Sequence, residues 1–201
     1  MRRAGITLGS GLREDERDAA ARLYWNAFGN KLGRVLGPEP RALRFITRVI
    51  RDDHVIVARG ARDEVLGVAG FKTAAGAFVG GTLADLLAVY GRLGGLWRAA
   101  FLALLERDVE NRRFLMDGIC VATEARGLGV GTALLEAICD EAIRRGYGAV
   151  RLDVIEQNAR ARALYERRGF RATGATRLGP LSWVFGFSKA TTMVRDLTLA
   201  S

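Results

Sequence analysis

The stretch ARGLGVGTALL, Ala125 to Leu135, sets Arg126 and three glycines, Gly127, Gly129 and Gly131, directly ahead of a helix-forming run. The apolar run FLMDGICVA, Phe114 to Ala122, precedes it and reads as a strand. A strand, a glycine-rich turn and a helix in that order make an anion-binding arrangement. The start of a helix carries unpaired N–H groups and a partial positive charge. Glycines permit positive φ and let an anion approach the backbone with no Cβ in the way. Arg126 adds a cation with forked donors. Two nucleotide-binding patterns fail on residue identity. No lysine follows Gly131, as a Walker loop requires, and Thr132 stands where a dinucleotide fingerprint needs its third glycine. The spacing that fits is R-x-x-G-x-G, over Arg126, Gly129 and Gly131.

Working outward, ITL (Ile6 to Leu8) reads as a first strand, and Arg13 to Phe28 has helical spacing with Ala20, Leu23, Tyr24 and Phe28 on one stripe. Gly37, Pro38 and Pro40 break the chain before a second helix, Arg41 to Ile50. HVIVAR (His54 to Arg59) and EVLGVAGFK (Glu64 to Lys72) read as a hairpin about the turn Gly60 to Asp63. Leu83 to Leu105 is helical by length and composition, with an interruption expected near Gly94-Gly95. After the strand and glycine turn, a helix is expected from Gly131 to Arg145, a strand over AVRLDVI (Ala149 to Ile155) and a helix from Asn158 to Arg168. Phe170 to Thr176 and Trp183 to Thr198 lean to β. Hairpins come first and β-α-β crossovers later, so the fold class is mixed α/β (α+β). No linker divides the chain, so residues 1–201 are expected to form a single domain.

Composition bounds the partners. Hydrophobic residues make up 49% and charged residues 26% of the 201, an ordinary globular balance. The formal net charge of +9 suits an acidic partner such as a phosphorylated cofactor or nucleic acid. The arginines are scattered, however, the only lysines are Lys31, Lys72 and Lys189, and no zinc-finger, basic-zipper or RNA-recognition signature accompanies the charge. Cys120 and Cys139 read as small buried hydrophobes, with no disulfide framework and no metal site expected. The start, MRRAGITLGSG, lacks the apolar run of a signal peptide. The most apolar segment carries Asp85, Arg92 and Arg98, which argues against a membrane span. A cytoplasmic protein without membrane partners is the expectation.

Further motifs follow the glycine turn: R-L-D-V-I, then N-A-R-A-R-A-L-Y and E-R-R-G-F. With R-x-x-G-x-G ahead of them, residues Phe114 to Gly169 resemble the core of the GNAT acetyltransferase superfamily, whose second pattern is N-x-x-A-x-x-L-Y…G-F. The resemblance implies a mixed, mostly antiparallel central sheet of about six to seven strands flanked by helices. The cofactor-binding core would span about 114–170, and a helical insertion, about 74–112, would separate the third and fourth strands. It implies acetyl-CoA as co-substrate. Arg126, Gly127, Leu128, Gly129, Val130, Gly131 and Thr132 would bind its pyrophosphate through backbone N–H groups, and Ile119, Cys120 and Val121 its pantetheine amides as a neighbouring strand would. Asn158 could hold a pantetheine amide. Tyr165, seven residues on and close to two helical turns away, could protonate or hydrogen-bond the departing thiolate; the alternative is a core aromatic.

Asp117 is the first candidate for a general base, sharing a face with Ile119 and Val121 in a regular strand; the alternative is that Asp117-Gly118 marks a bulge or turn. Asp153, Glu156 and His54 rank behind it, His54 reading as a surface or capping residue, and a water chain could replace any of them. The insertion, with Tyr90, Trp97 and Phe101, is expected to form a wall or lid over the acceptor side; a core extension or dimer surface is the alternative. Leu23 to Gly37, with Tyr24, Trp25 and Phe28, and the run WVFGF (Trp183 to Phe187) are expected near the acceptor pocket, with core packing for two of the three early aromatics.

Three functions from different classes follow. The first is an N-acetyltransferase acting on a primary amine of a small molecule or peptide by direct attack on the thioester. The second is a non-catalytic acyl-CoA-binding or regulatory module, and the third a basic nucleic-acid-binding domain. A homodimer is left open. The positive net charge argues against polycationic acceptors such as polyamines.

Overall fold

A computed structural model of the chain describes residues 2–3, 5–105, 113–177, 179 and 187–197. Nine strands are described: β1 (Arg2–Arg3), β2 (Ile6–Ser10), β3 (Val55–Arg59), β4 (Val65–Thr73), β5 (Gly76–Ala77), β6 (Phe114–Val121), β7 (Ala149–Ile155), β8 (Arg171–Arg177) and β9 (Lys189–Asp196). They join one sheet in the order β1-β2-β3-β4-β6-β7-β9-β8, with β5 pairing β4 off that path. Seven strands have five or more residues, and β1 and β5 have two each. All pairings are antiparallel except β6 with β7. This is the mixed, mostly antiparallel sheet that the element order implies.

Helices cover both faces. α1 (Arg17–Leu36), α2 (Glu39–Val49) and α3 (Leu83–Leu105) lie on one face, and α4 (Val130–Arg144) and α5 (Ala159–Arg167) on the other. That is why β3 reads as a continuous apolar run: Ile56 and Ala58 enter the core under α4, while Val55 and Val57 enter the core under α1 and α2. The helix that starts at Arg17 runs on to Leu36, well past the expected end at Phe28. Its glycines do not stop it; Trp25 lies over Gly29, where a Cβ would meet the indole at 2.9 Å.

The insertion is helical, and one expectation for it is corrected: its break falls at Gly91 (φ 74°), not at Gly94-Gly95. Its described part packs on α1 and α2 and extends their core. Tyr90 donates its hydroxyl to the carbonyl of Leu36, and Arg98 donates to Val35 and Gly37. The Arg98 guanidinium lies 4.0 Å over Tyr90 and 4.3 Å over Trp97. Residues 183–186 of the late aromatic run fall outside the described residues, as does the side chain of Phe101.

Two irregularities of β6 shape the centre of the molecule. Gly70 of β4 pairs with Gly118, but Phe71 pairs with Met116, so Asp117 is an extra residue on β6. Such a bulge breaks the two-residue alternation of side chains. Phe114 and Met116 face the α4 core before it, and Ile119 and Val121 face that core after it. The second irregularity is a splay. β6 pairs with β7 at Phe114↔Val150 and Leu115↔Arg151 only. From Asp117 onward, β6 and β7 diverge and leave a cleft.

Candidate active site

The cleft between β6 and β7 opens onto the glycine-rich turn. After β6, Thr123–Ala125 form a single 3-10 turn, and Gly129 (φ 83°) stands ahead of α4 in the left-handed region. Gly127 shares this geometry at φ 87°. A Cβ at either would meet nothing within 4 Å, so the glycines answer to backbone conformation, with open space above them. The first helical bond runs from the Ala133 N–H to the Gly129 carbonyl at 3.0 Å. The N–H groups of Val130, Gly131 and Thr132 therefore precede the ladder. No side chain caps this end, and its first turn has no acidic residue. Arg126 and Leu128 are exposed beside it. These residues fit an anionic group such as a pyrophosphate: free donors, a favourable helix end and no blocking side chain.

The strand contributes a second set of donors and acceptors. The Ala122 N–H bonds to the Leu66 carbonyl of β4 at 2.9 Å. Backbone groups along a strand alternate between its two edges. Cys120 therefore points its N–H and carbonyl toward β4, where it pairs with Val68, and its thiol is buried. Ile119 and Val121 point theirs toward the cleft. Of the three, Ile119 and Val121 offer the open edge, which is the form an extended amide chain can pair with.

α5 forms the far wall. Asn158 stands just before its first turn and is exposed, and its side-chain oxygen accepts the Ala161 N–H at 3.2 Å. It is the helix cap, which leaves its amide NH₂ for other partners. Two turns on, Tyr165 is buried, with its ring 6.0 Å from that of Phe170. Burial pushes its phenol up to about 12, and the Cys120 thiol adds to the effect. Leu164 beside it reaches toward α4: a Cβ on Gly131 would meet Leu164 at 3.8 Å and Val121 at 3.7 Å. Turn, strand edge and helix thus meet within one cleft.

Across the sheet, α1 packs against β6. Phe28 packs so closely over Gly118 that a Cβ there would come within 2.5 Å of its ring. Tyr24 stacks on Phe28 with ring centroids 4.8 Å apart. The bulge sets Asp117 beside this pair instead of on the face of Ile119 and Val121. Asp117 is exposed to solvent on the side of Tyr24. Desolvation by the neighbouring protein pushes its carboxyl above the ordinary range, and the Lys72 ammonium opposes the shift. Enclosure raises the Tyr24 phenol as well, with the Asp117 charge contributing. Among the described residues Asp117 makes no hydrogen bond or ion pair.

The other acids and the histidine are placed elsewhere. Asp153 accepts the Thr192 hydroxyl at 2.5 Å and lies 3.5 Å from Arg151. Glu156 is exposed after β7. His54 is not a surface residue: it is 1% exposed, held between Asp53 (2.7 Å) and Thr73 (3.0 Å), with its ring over Phe71. It closes a 3-10 turn, Asp52–His54, just ahead of β3 instead of opening the strand, and the partners that bury it, Phe71 and Thr73, come from β4, which local pattern did not reveal. Lys72 was not singled out by the sequence reading. Its signal was rarity, as one of three lysines, near the end of an apolar strand.

A sequence model described as the acetyltransferase (GNAT) family matches residues 17–170. Similar solved structures include the histone acetyltransferase HPA2 and related acetyltransferase from Corynebacterium glutamicum, at 20% identity and TM-score 0.65 over 98% of this chain and 99% of that one. The GCN5-related N-acetyltransferase from Kribbella flavida aligns at 19% identity and TM-score 0.63, covering 96% and 98%. The ribosomal-protein-S18-alanine N-acetyltransferase from Escherichia coli aligns at 18% and 0.57, covering 98% and 96%. At these identities the likeness is one of fold.

Proposed function

Since the chain belongs to the acetyltransferase (GNAT) family, we propose that it is an N-acetyltransferase that moves an acetyl group from acetyl-CoA to a primary amine by direct attack on the thioester. The observation that carries this reading is the meeting of an open strand edge and an uncapped helix start at one splay in the sheet, with a carboxylate that has no partner among the described residues at the bulge of the same strand. The N–H groups of Val130, Gly131 and Thr132, with Arg126 and the open turn of Gly127, Leu128 and Gly129, hold the pyrophosphate. Ile119 and Val121 pair with the pantetheine amides, and Cys120 anchors that strand to β4. The NH₂ of Asn158 is available to the same chain of amides.

Acetyl-CoA supplies an activated acyl group and a thiolate leaving group. Asp117 takes the proton that the arriving ammonium must lose; a raised carboxyl suits a base working near neutrality. Tyr165 is a phenol at neutral pH. With its pKa at about 12 and an ordinary thiol at about 8.5, complete proton transfer to a thiolate is uphill by roughly 4–5 kcal/mol. Its role is therefore to donate a hydrogen bond to the departing sulfur. An N–H of the open β6 edge polarises the thioester carbonyl. Residues 1–201 act as one unit in this reading, supported by the unbroken sheet.

Calorimetric titration with acetyl-CoA, followed by thiol release across an amine panel, tests the proposal. Micromolar saturable binding and amine-dependent thiol release are expected. Tyr165→Phe is expected to lower kcat about 10–100-fold with the acetyl-CoA Kd kept within twofold. Tight binding with no thiol release from any amine would favour the non-catalytic acyl-CoA-binding module.

A further inference from the structure

The α1 side of the sheet holds a second charged group besides the carboxylate. Lys72 pairs with Leu115, two residues before Asp117, on the neighbouring strand. Asp117 follows at the bulge, and the Lys72 ammonium is near enough to act on its carboxyl. Lys72 and Leu115 share the sheet face of Val68 and Cys120, the face that α1 covers. Lys72 is partly buried and, like Asp117, makes no hydrogen bond or ion pair to another described residue. The chain has 22 Asp and Glu for its Lys and Arg, and most buried or half-buried charges here are paired. Glu16 holds Arg13 and Arg59, and Glu141 holds Arg144 and Arg145. Neither Lys72 nor Asp117 has a hydrogen-bonded countercharge among the described residues. Asp117 stands beside Tyr24, with Phe28 over the neighbouring Gly118, so a ligand that carries both signs would answer both charges.

We infer that the acceptor is a zwitterion of the α-amino acid type, its amine set at Asp117, its carboxylate at Lys72 and its apolar side chain against Tyr24 and Phe28. This rests on the acetyltransferase reading and narrows it. A cation and an anion carried by neighbouring strands on one side of the sheet suit an amine and a carboxylate separated by few bonds. A peptide N-terminus carries a neutral amide where Lys72 needs an anion, and a polyamine carries a second cation. Both are disfavoured by the same ammonium. Lys72 is a specificity-determining residue in this account and takes no part in proton transfer.

The test compares leucine, methionine and phenylalanine, each with its carboxamide and its decarboxylated amine, by thiol release from acetyl-CoA. The free amino acids are expected to show kcat/KM at least tenfold above both counterparts, mainly through KM. Lys72→Met should erase that ratio, raising KM for the amino acids at least tenfold and altering the carboxyl-free amines less than threefold at their optimum pH. Lys72→Arg should restore the preference in part. Lys72→Met should also move the acid limb of the pH profile upward for the carboxyl-free amines, since the cation that opposes the Asp117 shift is gone. A structural role alone would not move that limb. Equal or greater turnover of amides and amines by the wild type, or a preference that survives Lys72→Met, would overturn the inference and leave the acetyltransferase reading standing. Absence of thiol release with all nine compounds, while other amines of the panel release thiol, would overturn the inference alone; absence across the whole panel would overturn both.

Discussion

Replacing Gly131 by alanine separates the folding role of the glycine turn from its binding role. Gly131 lies in the first turn of α4 and, unlike Gly127 and Gly129, has no positive φ. A Cβ there would meet Val121 at 3.7 Å and Leu164 at 3.8 Å, which is ordinary van der Waals contact. The fold has room for the methyl, and alanine is favoured over glycine in a helix by up to about 1 kcal/mol. For a domain of this size that gain corresponds to a Tm rise of about 2–4 °C. The methyl also lands between the end of β6 and α5, in the mouth through which the pantetheine would pass. Gly131→Ala is therefore expected to melt at or above the wild-type temperature while binding CoA at least tenfold more weakly, about 1.4 kcal/mol. Scanning calorimetry gives the first quantity and titration calorimetry the second. Gly129→Ala serves as a contrast: a positive φ costs a non-glycine residue about 1–2 kcal/mol, so its Tm should fall. If Gly131→Ala binds CoA as wild type does, the space above this helix is not a ligand path.

The remaining predictions rest on charges. Asp117→Asn should lower kcat by about 10²–10⁴-fold without lowering Tm at pH 7.5. A carboxyl whose folded pKa is raised stabilises the fold below its unfolded pKa and loses that contribution as pH rises through the folded value; a clear drop in Tm for the variant would contradict this. For the wild type, activity should fall as pH drops through the raised Asp117 value, and a pH profile flat down to the ordinary carboxylate range would refute the base. Glu16, 4% exposed, is held near 2 by Arg59 first and Arg13 next, against an ordinary 4.5. Its contribution, about 3 kcal/mol, is present above pH 4.5 and is lost as pH falls toward 2. Glu16→Gln should thus lower the neutral-pH Tm by roughly 6–12 °C and leave the CoA Kd unchanged. Arg126→Glu should weaken CoA binding about tenfold or more in low salt and less in high salt; salt-independent, unaltered affinity would remove Arg126 from the phosphate seat.

Local signals carried much of this protein. The strand Ala149–Ile155 coincides with its apolar run, and α4 and α5 begin and end within a residue of the expected bounds. Periodicity, glycine and proline act over a few residues, and so does the anion-binding turn, since its donors and glycines are consecutive in the chain. What remained open in the sequence depends on partners distant in the chain. Asp117 could be a regular strand residue or a bulge, and only its mismatch against Gly70 and Phe71 of β4 decides for the bulge. That one extra residue turns its carboxyl toward Tyr24 and away from the face of Ile119. The β6–β7 splay likewise follows from pairing that stops at Leu115, and no local pattern records where a ladder ends. His54 looked like a surface residue because its partners, Thr73 and Phe71, are 19 and 17 positions away. α3 was expected over the acceptor, and its anchors, Leu36 and Gly37, lie more than 50 residues earlier. Sequence determined which segments become strands, helices and anion-binding turn, because those are short-range free-energy preferences. Tertiary structure decided which side chains face one another, because register and burial are properties of paired segments and not of either segment alone.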